Sequence, residues 1–201
     1  MNSKMECQLW SLDDNSCLCS LKDEQLQPCD GLQLAVACFS PDGNSLASVI
    51  EGSRFIHFWK SNGVRQQLTG HVSSPDTIGR QEYRIRCLSF SADEKHLASA
   101  ANDCTIRLWD IQNDDSPCIK IIHVPVAITS LKFSPDSTLI AAGCVNGAVR
   151  VWNVITNRDE AVKTFVVGTG SVKSLVFLPD GKTLVSTGLY DHNLWFWDLE
   201  L

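Results

Sequence analysis

Cys17 and Cys19, with Cys7 and Cys29 nearby, are the first residues here whose type could hold a metal. Their spacing argues against it. Structural zinc uses Cys-x2–4-Cys, whereas residues two apart on a strand only share a face, so packing thiols are the better reading. Nucleophilic chemistry has no Gly-x-Ser-x-Gly elbow to work from, and hydrolytic metal chemistry no His-Glu-x-x-His run. Gly168-Thr169-Gly170 is too short for a phosphate-binding loop and leads into a strand pattern, where phosphate sites need a helix N-terminus. We therefore expect no catalytic residues, no metal, no cofactor and no enzymatic activity.

The residues suited to contact chemistry are better placed. Trp195 stands two before Trp197, where the matching strands carry His57, Arg107 and Arg150. A tryptophan there adds roughly 150–250 Å² of apolar surface. It either packs against an adjoining unit, which we prefer, or anchors a partner. The segment Val72–Arg84 (VSSPDTIGRQEYR) joins an outer strand to an inner one, so Ser74, Arg80 and Tyr83 are candidate contacts on a rim. Ser74-Pro75 could take a phosphate, but a solvated loop is the better reading of the segment.

The elements that position these side chains repeat. VACFSPDGNSLAS (Val36–Ser48), CLSFSADEKHLAS (Cys87–Ser99), SLKFSPDSTLIAA (Ser130–Ala142) and SLVFLPDGKTLVS (Ser174–Ser186) are four versions of one pattern. Each is followed by a strand ending in Trp59, Trp109, Trp152 or Trp197, spaced by 50, 43 and 45 residues. A period of about 40–45 residues with four short strands per unit is that of a β-propeller blade. Proline presets φ at the second position of the Pro41-Asp42-Gly43 and Pro179-Asp180-Gly181 turns, and Asp and Gly accept the conformations of the later positions. The spacing predicts strands at 34–39, 45–50, 64–68, 85–90, 96–101, 118–123, 128–133, 138–143, 161–167, 172–177 and 183–188, besides the four Trp strands. Met5–Leu12 reads as a lone Trp strand and Cys17–Leu21 as its outer neighbour, for 17 strands in all.

The fold class expected is all-β: a propeller with four nearly complete blades and a partial N-terminal one. Residues 1–201 form one domain, with the partial blade at 1–30, blades near 31–70, 84–124, 127–168 and 170–201, and a loop insertion at 72–84. Four to five blades is short for a ring, so we expect an arc of a larger one.

Composition narrows the function class. The 201 residues are 44% hydrophobic and 20% charged with net charge −6, and Lys and Arg are dispersed, which disfavours direct nucleic-acid binding. The N-terminal residues turn polar before any apolar signal core, and no stretch approaches a membrane span. Nine cysteines without a leader read as free thiols in a reducing compartment, nucleus or cytoplasm.

The repeated pattern resembles the WD-repeat family over essentially the whole chain. Trp109-Asp110 and Trp197-Asp198 carry the eponymous pair; Trp152-Asn153 is near, while Trp59-Lys60 and Trp10-Ser11 depart. The resemblance implies a buried network linking each Trp to a Ser/Thr, an Asp and a His. In this sequence that means Ser99, Asp103 and Trp109 in the third repeat, and Asp191 and Trp197 with Ser186 or Thr187 in the fifth. The fourth has Ala142 and Asn146 and is reduced; the second has Val49 and Ser53 and lacks it. The insertion after Gly70-His71 could carry His71 out of reach of Asp103.

Tyr83–Asn113, Ala127–Val154 and Gly170–Leu199 are also similar to blades of the fungal Tup-type general transcriptional corepressors. That resemblance implies a non-enzymatic scaffold recruited by DNA-bound factors and contacting histone tails. The other reading is a cytoplasmic adaptor for signalling or ubiquitin-ligase complexes. It would favour Trp-Asp-x-Arg, which Trp109-Asp110-Ile111-Gln112 does not supply. Either way the partners are proteins or peptides, with no direct nucleic acid and no membrane.

Overall fold

The computed structural model describes residues 6–10, 17–22, 34–50, 55–61, 65–71, 84–113, 118–156, 158–166, 168, 170–190 and 193–200. Strands β1 (Glu6–Trp10) and β2 (Cys17–Lys22) form a two-stranded sheet. Four antiparallel meanders follow. The first joins β3 (Leu34–Phe39), β4 (Ser45–Ile50), β5 (Phe55–Lys60) and β6 (Arg65–Thr69). The second joins β7 (Ile85–Phe90), β8 (His96–Ala101), β9 (Thr105–Asp110) and β10 (Cys118–His123). The third joins β11 (Ile128–Phe133), β12 (Leu139–Cys144), β13 (Ala148–Asn153) and β14 (Lys163–Val166). The last has three strands: β15 (Val172–Phe177), β16 (Thr183–Gly188) and β17 (Leu194–Asp198). Among the described residues there are 17 strands, the number the sequence leads one to expect.

Some strand bounds differ from the expectation. The outer strands run Arg65–Thr69 and Lys163–Val166, where 64–68 and 161–167 were expected, and β12 starts at Leu139. Thr138 belongs to the turn because its N–H and hydroxyl both donate to Asp136, at 3.0 and 2.8 Å.

The first hairpin of each blade is stapled by its own side chains. Ser40 Oγ donates to Asp42 and accepts the Ser45 N–H at 2.8 Å, and Ser91 with Asp93 and Ser134 with Asp136 repeat the pattern. The fourth residue of each turn is left-handed: Gly43 (φ 74°), Glu94 (60°), Ser137 (62°) and Gly181 (67°). That conformation costs a side chain about 1–2 kcal/mol, against the 0.5–1 kcal/mol of chain entropy that glycine loses. Glu94→Gly should therefore stabilise the protein by about 0.5–1 kcal/mol, read as a higher urea midpoint at unchanged slope. A lower midpoint would show that Glu94 makes a compensating contact.

The innermost strands β3, β7, β11 and β15 stand side by side, and each carries a register shift after its first residue. An extra residue of this kind sharpens local twist, as radial stacking of blades requires. Between blades lie apolar seams. Ile56 and Phe58 meet Ile85, Leu88 and Phe90; Ile106 and Leu108 meet Leu131 and Phe133; Val149 and Val151 meet Val172, Leu175 and Phe177. Because both faces are covered, β12 is buried at all six positions. Side-chain bonds cross the seams too: Thr129 Oγ1 donates to the Val172 carbonyl at 2.5 Å, and Ser89 Oγ accepts the Phe133 N–H at 3.1 Å.

Candidate functional site

The sequence concentrates its polar chemistry at the seam before β9. Trp109, fully buried, donates its indole N–H to Ser99 Oγ at 2.8 Å. Ser99 Oγ lies 2.7 Å from His71 Nε2, and His71 Nδ1 lies 2.8 Å from Asp103 Oδ2. Thr105 closes the set, its hydroxyl donating to Asp103 Oδ1 at 2.7 Å and its N–H to the same oxygen at 3.0 Å. With Asp103 ionised, Nδ1 carries the proton and Nε2 accepts from the Ser99 hydroxyl. His71 therefore stays within reach of Asp103, contrary to the expectation from the insertion. Only Gly70 separates it from β6, and that short tether to the outer strand holds it in place.

Serine, histidine and aspartate in this order and at these distances are the groups of an acyl-transfer triad. The surroundings exclude that use. Ser99 is completely buried, and its oxygen already accepts the Trp109 N–H, so no carbonyl can approach it. Each member instead satisfies a neighbour that would otherwise be an orphaned buried polar group. Three carboxylates that line an open groove of about 720 Å³ are also engaged: Asp136, Asp180 and Asp198 each accept backbone N–H bonds from their own turns.

The Asp103 carboxyl shows the balance of forces. Burial pushes its pKa up, but the hydrogen bond and charge of His71, together with the two Thr105 bonds, hold it below the ordinary 3.8. A group that binds its proton more weakly in the fold than in the unfolded chain stabilises the fold above its unfolded value. That contribution is complete above about pH 4 and drains away as pH falls further. We expect Asp103→Asn to be less stable at pH 7 and to lose less on acidification than the wild type, measured as urea midpoints from pH 7 to pH 3. Parallel pH profiles would mean the charge on Asp103 contributes nothing.

Strand register locates the matching positions in other blades. Leu88 pairs Ser99, Ala37 pairs Ser48, Leu131 pairs Ala142 and Leu175 pairs Ser186. Ser48, and not Val49, thus occupies the serine position of the second repeat; the one-residue longer spacing to Trp59 hid the match. With Ala142 in the fourth repeat, the Trp152 indole turns to the Asp159 carbonyl at 3.1 Å. In the fifth, Trp197 donates to Ser186 Oγ at 2.8 Å, so Ser186 and not Thr187 is its partner. Asp191 lies outside the described residues, as do Ser74, Arg80 and Tyr83.

Trp195 lies on β17 opposite Ser186 and stacks on Trp197, centroids 5.8 Å apart and planes 10° from parallel. Trp197 in turn stacks on Phe165 of the preceding blade at 4.8 Å. Trp195 ends this three-ring column with 37% of its surface exposed. Sequence reading missed the column because Phe165 stands more than a blade's strand spacing before its partner, with no short-range pattern to signal it.

The cysteines whose surroundings are described are packing thiols: burial raises Cys38 and Cys87 to about 12 and Cys144 to about 11. Such thiols are poor metal ligands, and among the described residues no group of His, Cys, Asp or Glu is arranged to hold an ion. Side chains at Cys7, Cys17, Cys19 and Cys29 lie outside the described residues. No helix among the described residues is long and apolar enough to cross a membrane.

The family model "WD domain, G-beta repeat" matches residues 64–110, 116–153 and 160–198. The chain is 27% identical over 177 residues to WD repeat and SOCS box-containing protein 1 of Danio rerio, covering 85% of this chain and 40% of that protein. It is 23% identical over 158 residues to the transcriptional corepressor LEUNIG_HOMOLOG of Arabidopsis thaliana, covering 79% and 19%. The chain spans less than half the length of the curated relatives it matches. Among solved structures, a chain in the crystal structure of the mitotic checkpoint complex superposes with TM-score 0.78 at 18% identity, covering 98% of this chain and 55% of that one. At that identity the likeness speaks for the propeller fold alone.

Proposed function

Since this chain belongs to the WD-repeat family, whose members generally serve as non-enzymatic scaffolds for protein interaction, we propose that it holds protein partners on its blade rims as a transcriptional corepressor. The observation behind the scaffold reading is the fate of the triad-like constellation found among the described residues. Ser99, His71 and Asp103 are committed to holding Trp109, while large aromatic surface stays outside, at Trp195 (37% exposed) and Tyr190 (81%).

The corepressor role is favoured by LEUNIG_HOMOLOG and by the Tup-like stretches Tyr83–Asn113, Ala127–Val154 and Gly170–Leu199. In this role the protein is brought to genes by DNA-bound factors and meets transcription factors or histone tails in the nucleus, leaving the bases unread. Trp195 is its contact residue, since an exposed ring already immobilised by stacking loses little entropy when a partner covers it. Affinity capture from nuclear extract should recover repressor or chromatin proteins, and Trp195→Ala should reduce their recovery at least tenfold while circular dichroism shows the variant still folded at the assay temperature. Recovery of none of them overturns the corepressor role. The SOCS box relative favours a second reading, a cytoplasmic adaptor, for which the same capture from cytosol would be the productive one.

A further inference from the structure

Lysine and arginine are scattered along the sequence, but the stacking of blades gathers three of them on one wall. The innermost strands β3, β7, β11 and β15 carry Arg86, Lys132 and Lys173 and no aspartate or glutamate, in a chain of net charge −6. All three side chains are exposed, and among the described residues no carboxylate pairs with any of them.

Register fixes their relative places. Arg86, Thr129 and Lys173 are the extra residues at the register shifts of β7, β11 and β15, so they stand at one level on three neighbouring strands. The bond from the Thr129 hydroxyl to the Val172 carbonyl ties that level from β11 to β15. Lys132 lies three residues further along β11, roughly 10 Å away at about 3.3 Å per residue. Its ammonium is felt on two other strands: burial raises the Cys38 and Cys87 thiols, and Lys132 opposes the rise in both. Arg86 donates from Nε to Asn102 Oδ1 at 2.5 Å, which holds the guanidinium and leaves its two terminal nitrogens for a ligand.

Beside the cations, the same end of the wall is apolar. The turns after β8, β12 and β16 are strapped to the starts of the inner strands. There the N–H groups of Asn102, Val145 and Leu189 donate to the carbonyls of Arg84, Ala127 and Ser171. Val145 and Leu189 are 45% and 42% exposed, and Tyr190 beside them 81%. Three cations suit a single phosphate dianion, and the apolar turns suit side chains flanking it. A nucleic-acid strand would need a continuous basic track, which this acidic chain does not supply.

We propose that Arg86, Lys132 and Lys173 form the site for a phosphorylated segment of a protein partner, with Val145, Leu189 and Tyr190 holding the apolar residues around the phosphate. The proposal deepens the scaffold reading and rests on it, but it needs no contact from Trp195.

The test is fluorescence anisotropy of the 201-residue chain with a labelled peptide pool of mixed sequence around one fixed phosphothreonine, and with its unphosphorylated twin. The phosphorylated pool should bind about tenfold more tightly at physiological salt, and the advantage should shrink in high salt. Lys173→Glu and Arg86→Glu should each abolish the advantage. Lys182→Glu makes the same charge change in the turn between β15 and β16, at the other end of the strand, and should leave it intact. Arg86→Glu also breaks the bond to Asn102, so Lys173→Glu decides, its circular dichroism matching wild type. Equal binding of the two pools overturns the proposal, as does an equal loss in Lys173→Glu and Lys182→Glu. Tighter binding of inorganic pyrophosphate or of a single-stranded oligonucleotide than of the phosphorylated pool also overturns it, marking a free-anion or nucleic-acid site. If the pools fail while affinity capture still recovers partners, this site falls and the scaffold reading stands.

Discussion

Trp109→Ala should lose about 3–5 kcal/mol, enough to unfold much of a domain whose total stability is of order 5–15 kcal/mol. Two losses combine. The indole is fully buried at the seam between the first two four-stranded sheets, packed with Leu97 and Ile111, so its removal opens a large cavity. Its N–H is also the donor that Ser99 Oγ accepts, and His71 reads that oxygen from the other side. Trp109→Phe separates the terms, keeping most of the ring while leaving the serine without its donor, and should cost about 1–3 kcal/mol. Thermal unfolding of both variants, with Ser99→Ala and the double variant closing a cycle, measures the coupling. If Trp109→Ala melted within a degree or two of wild type, the network would hold nothing together.

Much of this was legible in the sequence because propeller blades are local. Each hairpin is closed by a turn whose residues lie within six positions of one another, so Ser40, Asp42 and Gly43 announce their own geometry. The indole partners Ser99 and Ser186 sit 10 and 11 residues before their tryptophans, again inside one blade. What could not be read lies between blades. His71 reaches Asp103 across 32 positions, and the length of the segment between them says nothing about where a residue anchored to the preceding strand will end up. Phe165 meeting Trp197, and Thr129 bonding the carbonyl of Val172, belong to the same class, fixed by the stacking angle and not by spacing. Exposure at the outer faces escaped for a related reason: Phe39 and Phe90 are identical in pattern, and only the presence of a neighbouring blade distinguishes 53% from 8%.

The second large effect is expected at such a seam. Gly143 on β12 faces the start of β15, and a methyl group added there would lie 2.7 Å from Val172 Cβ and closer still to its Cγ1. Neither contact can be relieved by a flexible chain end. Val172 is completely buried, β-branched, and tied through its carbonyl to Thr129, while Gly143 is held in register against Ser130 and Val149. Relief requires the third and fourth blades to separate, which loosens the contact of Val149 and Val151 with Leu175 and Phe177 along the same seam. Gly143→Ala should therefore cost about 1–3 kcal/mol, although alanine suits a strand interior better than glycine does. Val172→Ala removes the nearer clash, so the double variant should be more stable than the sum of the two single losses predicts. Urea titration of the four proteins decides it. Strict additivity would mean the seam flexes freely, and the blades would then not be the close-packed wedges on which the stacking depends.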